Sequence, residues 1–426
     1  MYNDHRKGHK FDWITIVIFL LLVGFGWVNI LSASQEGVVT DYFDLSQPYG
    51  KQLVFILLTF VLIVLILSIE AKFYERFSSV IYMVSIASLI GLFLFGKNVN
   101  GATSWYAIGG MTIQPSEFAK LATSLAVAKY LSDIQTNLKT LRDQLRSVLI
   151  IAIPAMLILL QNDAGSSLVY ASFFFVFYRE GIQQVYLIFA VIIIALAIIT
   201  LKFGVLITTI VAAVVLAGLY IFKKKKKPSI LQPLAILTIC IGFSFGVKYF
   251  YSSILKPHQQ NRISLWLRLE KDPEKLRQMK QTILYNLNQS EKAISSGGLF
   301  GKGFLEGTRT KGKFVPEQHT DYIFSTVAEE WGFLGSSMVV ILFVILLTRI
   351  LYLAESQKNQ FSRVYGYCVA SIFFIHFLIN TGMVMGLIPT IGIPFPFFSY
   401  GGSGLWGFTI LLFIFVKLDS NKINEW

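Results

Sequence analysis

Apolar runs of about 18 residues recur along nearly the whole chain, each long enough to cross the roughly 30 Å hydrocarbon layer of a bilayer. Twelve candidate spans can be drawn, at about 12–33, 52–69, 77–96, 115–132, 147–161, 165–178, 184–201, 204–222, 229–250, 321–348, 363–386 and 402–417. Of the 426 residues, 54% are hydrophobic and 14% charged, whereas a soluble domain carries about 25% charged residues. Backbone groups in lipid must be satisfied within their own segment, so helices are expected, and no barrel-like alternation competes. The expected fold class is an all-α polytopic membrane protein: one helix bundle over residues 1–426, with about 12 transmembrane helices.

The formal charge of +13 would suit a nucleic-acid partner, but the distribution of the cations excludes that reading. Lys and Arg sit in short loops beside apolar runs, which is the orientation signal of membrane proteins. With the N-terminus inside, one side collects Arg6, Lys7, Lys10, Lys72, Arg76, Lys139, Arg142, Arg146, Arg179, Lys223 to Lys227, Arg349, Lys358, Arg363 and Lys422. The short outer loops hold little beyond Lys51, Lys97 and Lys202, so both termini are expected in the cytoplasm. The "KKKKK" run at 223–227 is either a topology anchor or a patch for anionic lipid. "HRKGHK" has the charge of a signal peptide, but the apolar run after it is too long for one, which predicts an uncleaved first span. Cys240 and Cys368 lie inside apolar runs as small hydrophobes.

Residues 251–320 break the pattern as one large polar loop, placed outside by the charge count. Within "DPEKLRQMKQTILYNLNQSEKAI", Leu276, Met279, Ile283 and Leu287 share a face at helical spacing, predicting an amphipathic helix lying flat on the outer interface. Asp272 is the only aspartate between 251 and 320, and Pro273 follows it. Asp then Pro suits a helix start, where the helix N-terminus keeps a carboxylate ionised. Capping and proton acceptance are compatible, and spacing does not choose between them.

Further outer segments carry polar groups to the membrane edge. "SSGGLFGKGFLEGTRTKGK" (295–313) joins Gly to Lys302, Arg309, Lys311 and Lys313, as an anion cradle or a plain flexible loop. In "NGATSWYAIGGMTIQPSEFAKLA" (100–122), Glu117 and Lys120 share one helix face, as a cavity-lining pair or a structural bridge, while Trp105 reads as an interfacial anchor. "LLQNDAGSS" puts Asp163 at an outer hairpin, and "GLIPTIGIPFPFFSYGGSG" (386–404) needs cover from protein or water at membrane depth. Glu317, His319 and Asp321 alternate, so an extended segment would point them one way; a metal site is conceivable there, although no spacing is diagnostic. Asp321 is expected to start a span, and Glu329 and Glu330 lie inside it, where they need partners. The residues alone predict an outward-facing cavity, acidic and cationic by turns, for an amphiphile with an anionic head.

Together, "NGATSWYAIGGMTIQPSEFAKLA", "QNDAGSSLV", "SSGGLFGKGFLEGT", "VPEQHTDYIFSTVAEEWGFLG" and "NTGMVMGLIPTIGIPFPFFSYGGSG" resemble the SEDS family (shape, elongation, division and sporulation) in motif order. "GTRTKGKFVPEQHTDYIF" is closer to its elongation, or RodA, branch than to the division branch. The resemblance implies a SEDS-type bundle in the bacterial cytoplasmic membrane and a glycosyltransferase that polymerises lipid II with a class B penicillin-binding protein as partner. It implies Asp272 as general base on the acceptor 4-hydroxyl, with Lys120, Arg262 and Lys302 offsetting charge on the leaving pyrophosphate. Trp105, Glu117, Asp163, Glu317, His319, Asp321 and Ser399 would bind substrate or shape the cavity. It makes no cofactor certain, and a divalent ion, Mg2+ or Mn2+, could assist the pyrophosphate.

Three departures stand beside the resemblance. The stretch after Asp272-Pro273 is "EKLRQMK" where the family carries a Gly-containing one, and "QND" replaces "QPD". The family norm is ten spans, which makes 184–228 an expected two-helix insertion. The same cavity in a helix bundle would also serve a lipid II flippase, and a non-catalytic scaffold for a penicillin-binding protein is a third reading.

Overall fold

The computed structural model describes residues 11–35, 41–99, 101–109, 111–222, 230–255, 257–270, 272, 274 and 285–422. The lysine run at 223–227 and most of the expected amphipathic helix, including Leu276, Met279 and Ile283, lie outside the described residues. The chain divides into two compact units. The first comprises Met1–Ile182, Gln289–Met385 and Ile391–Trp426; the second comprises Gln183–Asn288 and Gly386–Thr390.

In the first unit, helix starts coincide with residues chemically suited to them. Helix α1 (Trp13–Ser34) is capped by Asp12, whose carboxylate accepts from the Thr15 amide at 3.0 Å. Pro48 opens α2 (Pro48–Ser68), and α3 (Ala71–Phe95) follows after two residues. Pro115 opens α4 (Pro115–Leu131), where its missing N–H costs nothing. Thr140 caps α5 (Leu141–Leu160) and Asp163 caps α6 (Ala164–Val169), which runs through a short 3-10 turn into α7 (Phe173–Arg179).

The second unit holds α8 (Gln184–Phe222), α9 (Leu231–Tyr249) and α10 (Pro257–Trp266). The first unit resumes with α11 (Tyr285–Gly297, whose first turn belongs to the second unit), α12 (Thr308–Lys311), α13 (Ile323–Glu355), α14 (Gln360–Val384) and α15 (Gly402–Asn421).

Nine helices among the described residues are long and apolar enough to cross a membrane, so the chain is a multi-pass membrane protein. These nine do not by themselves confirm the expected count of twelve. Helix α4, of 17 residues, occupies the expected span at 115–132, the shorter α6 and α7 lie along 165–178, and the spans expected at 184–201 and 204–222 are two helices that meet at a kink within the 39-residue element α8. That element is broken only at Gly204, whose φ of 84° departs from helical geometry.

The fold is also not wholly helical. Three short antiparallel strands, β1 (Lys97–Val99), β2 (Ala102–Ile108) and β3 (Met111–Ile113), form a small sheet in the order β1-β2-β3. Its register pairs Lys97 with Trp105 and Tyr106 with Ile113. Two Gly-containing connections, "NG" and "GG", join the strands; these are hairpin signals that the sequence displays. The Tyr106 hydroxyl donates to the Ser88 carbonyl, anchoring the sheet on α3.

Helices α14 and α15 form the core of the first unit, with most of each span buried. Phe19, Phe373, Phe397, Phe408 and Phe413 meet edge to face at centroid distances of 5.0 to 6.0 Å, a favourable geometry for aromatic pairs. Phe397 and Phe408 also line the cavity described next.

Candidate active site

The first unit encloses a cavity of about 780 Å³. Four carboxylates line it, Glu117, Asp163, Glu317 and Asp321, with Trp105, Gln114, Ser399, Tyr400 and Lys51. Leu45, Val54 and Phe55 give it an apolar side. Its walls come from β2, the starts of α4 and α6, the turn before α13 and the segment leading into α15.

Glu117 sits in the first turn of α4, where the helix N-terminus favours negative charge. Lys120 lies one turn on, and its ammonium is 2.8 Å from Glu117 Oε2. The pair is 4% and 2% exposed, a burial tolerated only when each charge has partners. Lys120 Nζ also lies 2.9 Å from His376 Nε2 and 4.9 Å from the centre of the Phe408 ring. His376 is itself buried, on α14, and is a residue that reading the sequence missed; its only signal there was a histidine inside an apolar span.

Asp163 has two duties. One oxygen caps α6 by accepting from the Ser166 amide at 2.9 Å, and the other accepts from Gln114 Nε2 at 3.0 Å. The Gln114 amide donates to Ser403 Oγ, so the starts of α4, α6 and α15 are tied together at the cavity wall. Ser399 Oγ donates to the Thr320 carbonyl at 2.7 Å and accepts from the Phe395 amide at 2.8 Å, fixing the segment before α15 against the turn before α13.

Residues 316–322 are turns rather than an extended strand, so the expected alternation of Glu317, His319 and Asp321 does not hold. Glu317 has φ 54°, in the left-handed region, and its carbonyl accepts from the Thr320 and Tyr322 amides. The turn still carries Glu317 and Asp321 to the cavity. His319 is instead half-buried beside Tyr400, with ring centroids 5.3 Å apart. Burial holds its pKa below the usual histidine value, against a partial upward pull from Glu317. Asp321 precedes α13, which begins at Ile323, and Asn380 Nδ2 donates to its carbonyl.

Three expected site residues are not among those that line this cavity. Lys302 is engaged with the buried Glu329 at 2.8 Å. Arg262 belongs to the second unit, where its guanidinium donates to the Thr390 carbonyl at 3.0 Å. Asp272, also in the second unit, is exposed, and its Oδ1 accepts from the Glu274 amide at 3.0 Å. That contact is the local turn geometry expected of a helix-starting aspartate.

The lining is therefore more acidic than the alternating pattern expected: four carboxylates face it with Lys51, while Lys120 is sealed behind Glu117. Carboxylates around a cavity with an aromatic wall accept hydrogen bonds from a hydroxyl-rich ligand, while the apolar side suits a lipid chain. Among the described residues, no three His, Cys, Asp or Glu side chains are grouped so as to hold a metal ion.

A family model described as "Cell cycle protein", covering FtsW, RodA and SpoVE, matches residues 12–217 and 207–424. The chain belongs to this family. The SEDS protein is 32% identical to peptidoglycan glycosyltransferase RodA of Treponema pallidum, over 98% of this chain and 99% of that one. It is 29% identical to peptidoglycan glycosyltransferase MrdB of Escherichia coli K12, over 92% and 89%. These relatives place it on the RodA branch. Its fold matches a chain in a solved peptidoglycan synthase complex that coordinates polymerization and crosslinking, with TM-score 0.70, 23% identity and coverage of 97% and 99%. The crystal structure of Thermus thermophilus RodA matches with TM-score 0.61 and 22% identity, over 97% of each chain.

Proposed function

We propose that this SEDS protein is a peptidoglycan glycosyltransferase that polymerises lipid II into glycan strands during cell elongation. The observation that carries the reading is the cavity, where Glu117, Asp163, Glu317 and Asp321 meet Trp105 beside an apolar side. In this reading the carboxylates accept hydrogen bonds from sugar hydroxyls and Trp105 packs on a sugar face. The acceptor 4-hydroxyl attacks the anomeric carbon of the donor, and undecaprenyl pyrophosphate leaves. Asp272 takes the acceptor proton as general base, a role that speeds such steps by about 10² to 10⁴. Lys51 and Arg262 supply positive charge against the developing pyrophosphate, and Lys120 acts through Glu117. No step is assigned to a bound metal ion.

The positive-inside distribution supports a place in the bacterial cytoplasmic membrane with both termini cytoplasmic and the cavity opening outward. A class B penicillin-binding protein is the expected partner, packing one transmembrane helix against the bundle.

The test is purified protein in detergent micelles supplied with lipid II, read as glycan polymer. A flippase gives no signal there, because no membrane separates two compartments. Polymer from the wild-type chain, falling at least about a hundredfold in Asp272→Asn at equal protein, supports the reading. No polymer with the transpeptidase partner present would leave the scaffold reading, and undiminished polymer from Asp272→Asn would remove the base assignment.

A further inference from the structure

Beneath the cavity, Lys120 is held from two sides, and the second holder has no role in the mechanism above. Its ammonium can only donate, so at 2.9 Å the His376 Nε2 must be the acceptor. The other ring nitrogen, Nδ1, is 3.2 Å from the Pro394 carbonyl, which can only accept. Both contacts are satisfied by one species alone: neutral imidazole carrying its proton on Nδ1. The ring packs edge-on against Phe408 at 4.7 Å, and Lys120 lies over the same Phe408 ring. His376 and Lys120 are 1% and 2% exposed, so water offers neither a replacement partner.

The consequence runs through Lys120 to the cavity. Glu117 is the member of this cluster that lines it, and its Oε2 is fixed by the Lys120 ammonium. Pro394, which anchors the imidazole, lines the same cavity two residues from Gly392. A chain of three contacts therefore links the segment before α15 to the carboxylate at the start of α4: Pro394 carbonyl, His376, Lys120, Glu117.

We infer that His376 is a positioning residue for the transferase site: as the Nδ1–H tautomer it holds the Lys120 ammonium against Glu117 and so sets the place and charge of the cavity carboxylate. The inference rests on the glycosyltransferase reading for its effect on turnover, but the contact itself does not. Protonating the imidazole would remove the acceptor and set a second positive charge beside Lys120. The charged group in contact with His376 is Lys120 of α4, with Glu117 reached only through that ammonium, while Phe408 and Pro394 present a ring and a carbonyl.

The test uses the full chain in two arms. Histidine-selective 15N spectra of the membrane-reconstituted protein, with His376→Gln to assign the signal, read the tautomer. The expected result is a neutral Nδ1–H imidazole whose Nε2 signal shifts in Lys120→Met. An Nε2–H tautomer or an imidazolium at neutral pH overturns the inference. In the second arm, lipid II polymerisation is measured for His376→Leu, His376→Gln, Lys120→Met and the Leu/Met double variant. His376→Leu should lower kcat by roughly ten- to a hundredfold, the scale of a misplaced site group, with KM little changed. His376→Gln, which restores an acceptor oxygen, should recover most of that loss. The double variant should be no slower than Lys120→Met alone, because His376 acts through Lys120. Additive losses, or equal losses in Leu and Gln, would show a mere packing role and overturn the inference. A wild-type chain inactive on lipid II would sink the polymerase reading, while the tautomer measurement still decides the contact. Should His376→Leu fail to fold, His376→Gln and the spectra carry the test.

Discussion

Lys302 Nζ lies 2.8 Å from Glu329 Oε1, so a cation of the Gly-rich loop at 295–313 partners a carboxylate inside the span helix α13. Glu329 is fully buried and also accepts from the Arg309 and Thr310 amides, each at 2.9 Å, and from Thr310 Oγ1. It thereby caps the short α12 and ties the loop to the bundle. The neighbouring Glu330 is buried against the Ser32 hydroxyl of α1.

Replacing Glu329 removes a hub rather than a single bond. Glu329→Ala should destabilise the purified protein by about 3–5 kcal/mol, the cost of breaking a buried charged network. Lys302→Met should cost less, because Lys302 is 26% exposed and the amide donors to Glu329 remain. Thermal unfolding in detergent checks both, and equal losses would contradict the hub assignment.

The same loop packs through missing side chains. Helix α13 breaks at Gly332 (φ 64°), where the Phe333 and Leu334 amides donate to the Gly298 and Leu299 carbonyls. In return, the Lys302 and Gly303 amides donate to the Glu329 and Glu330 carbonyls. A Cβ on Gly332 would run into the Gly301 amide nitrogen and lie 2.7 Å from the Leu299 carbonyl oxygen. Gly332→Ala should therefore cost more than about 2 kcal/mol, from clash and strain together. Gly204→Ala meets nothing within 4 Å and bears only the strain of φ 84°, about 1 kcal/mol. Paired melting curves separate the two.

Acid should loosen the turn that carries Glu317 and Asp321. Burial lowers the His319 pKa in the folded chain below its ordinary value of 6.5. Between those two values the unfolded chain binds more protons, so stability is full above about pH 6.5 and falls as the pH drops toward the folded pKa. Melting temperature measured from pH 8 to pH 5 should decline, and His319→Gln should flatten the part of that decline that His319 contributes. An identical slope in the variant would contradict the assignment.

Asp163 should show both of its duties on substitution. Asp163→Asn keeps an acceptor oxygen for the Ser166 amide but loses the charge and disturbs the Gln114 contact, so stability should change by less than about 1 kcal/mol. Asp163→Ala removes the cap of α6 and should cost about 1–2 kcal/mol. If the cavity binds sugar hydroxyls through this carboxylate, both variants should raise the KM for lipid II. Comparing melting temperature with KM separates scaffold from binding.

The span helices, their capped or Pro-opened starts and the placing of Glu117, Asp163 and Asp321 near helix starts are local properties. Hydropathy over about 18 residues and the chemistry of Asp12, Pro48, Pro115 and Asp163 specify them without reference to the rest of the chain. The strands at 97–113 were also written locally, in "NG" and "GG" turns, but the surrounding apolar runs dominate the reading. The choice of charge partner was not local. Lys120 meets His376 across 256 residues, Ser399 meets Thr320 across 79, and Lys302 turns to Glu329 instead of the cavity. In an apolar interior a charge must find compensation wherever packing brings an opposite group or acceptor within about 3 Å. Residue type and spacing announce that such a partner is needed, while only the packed bundle decides which one it is.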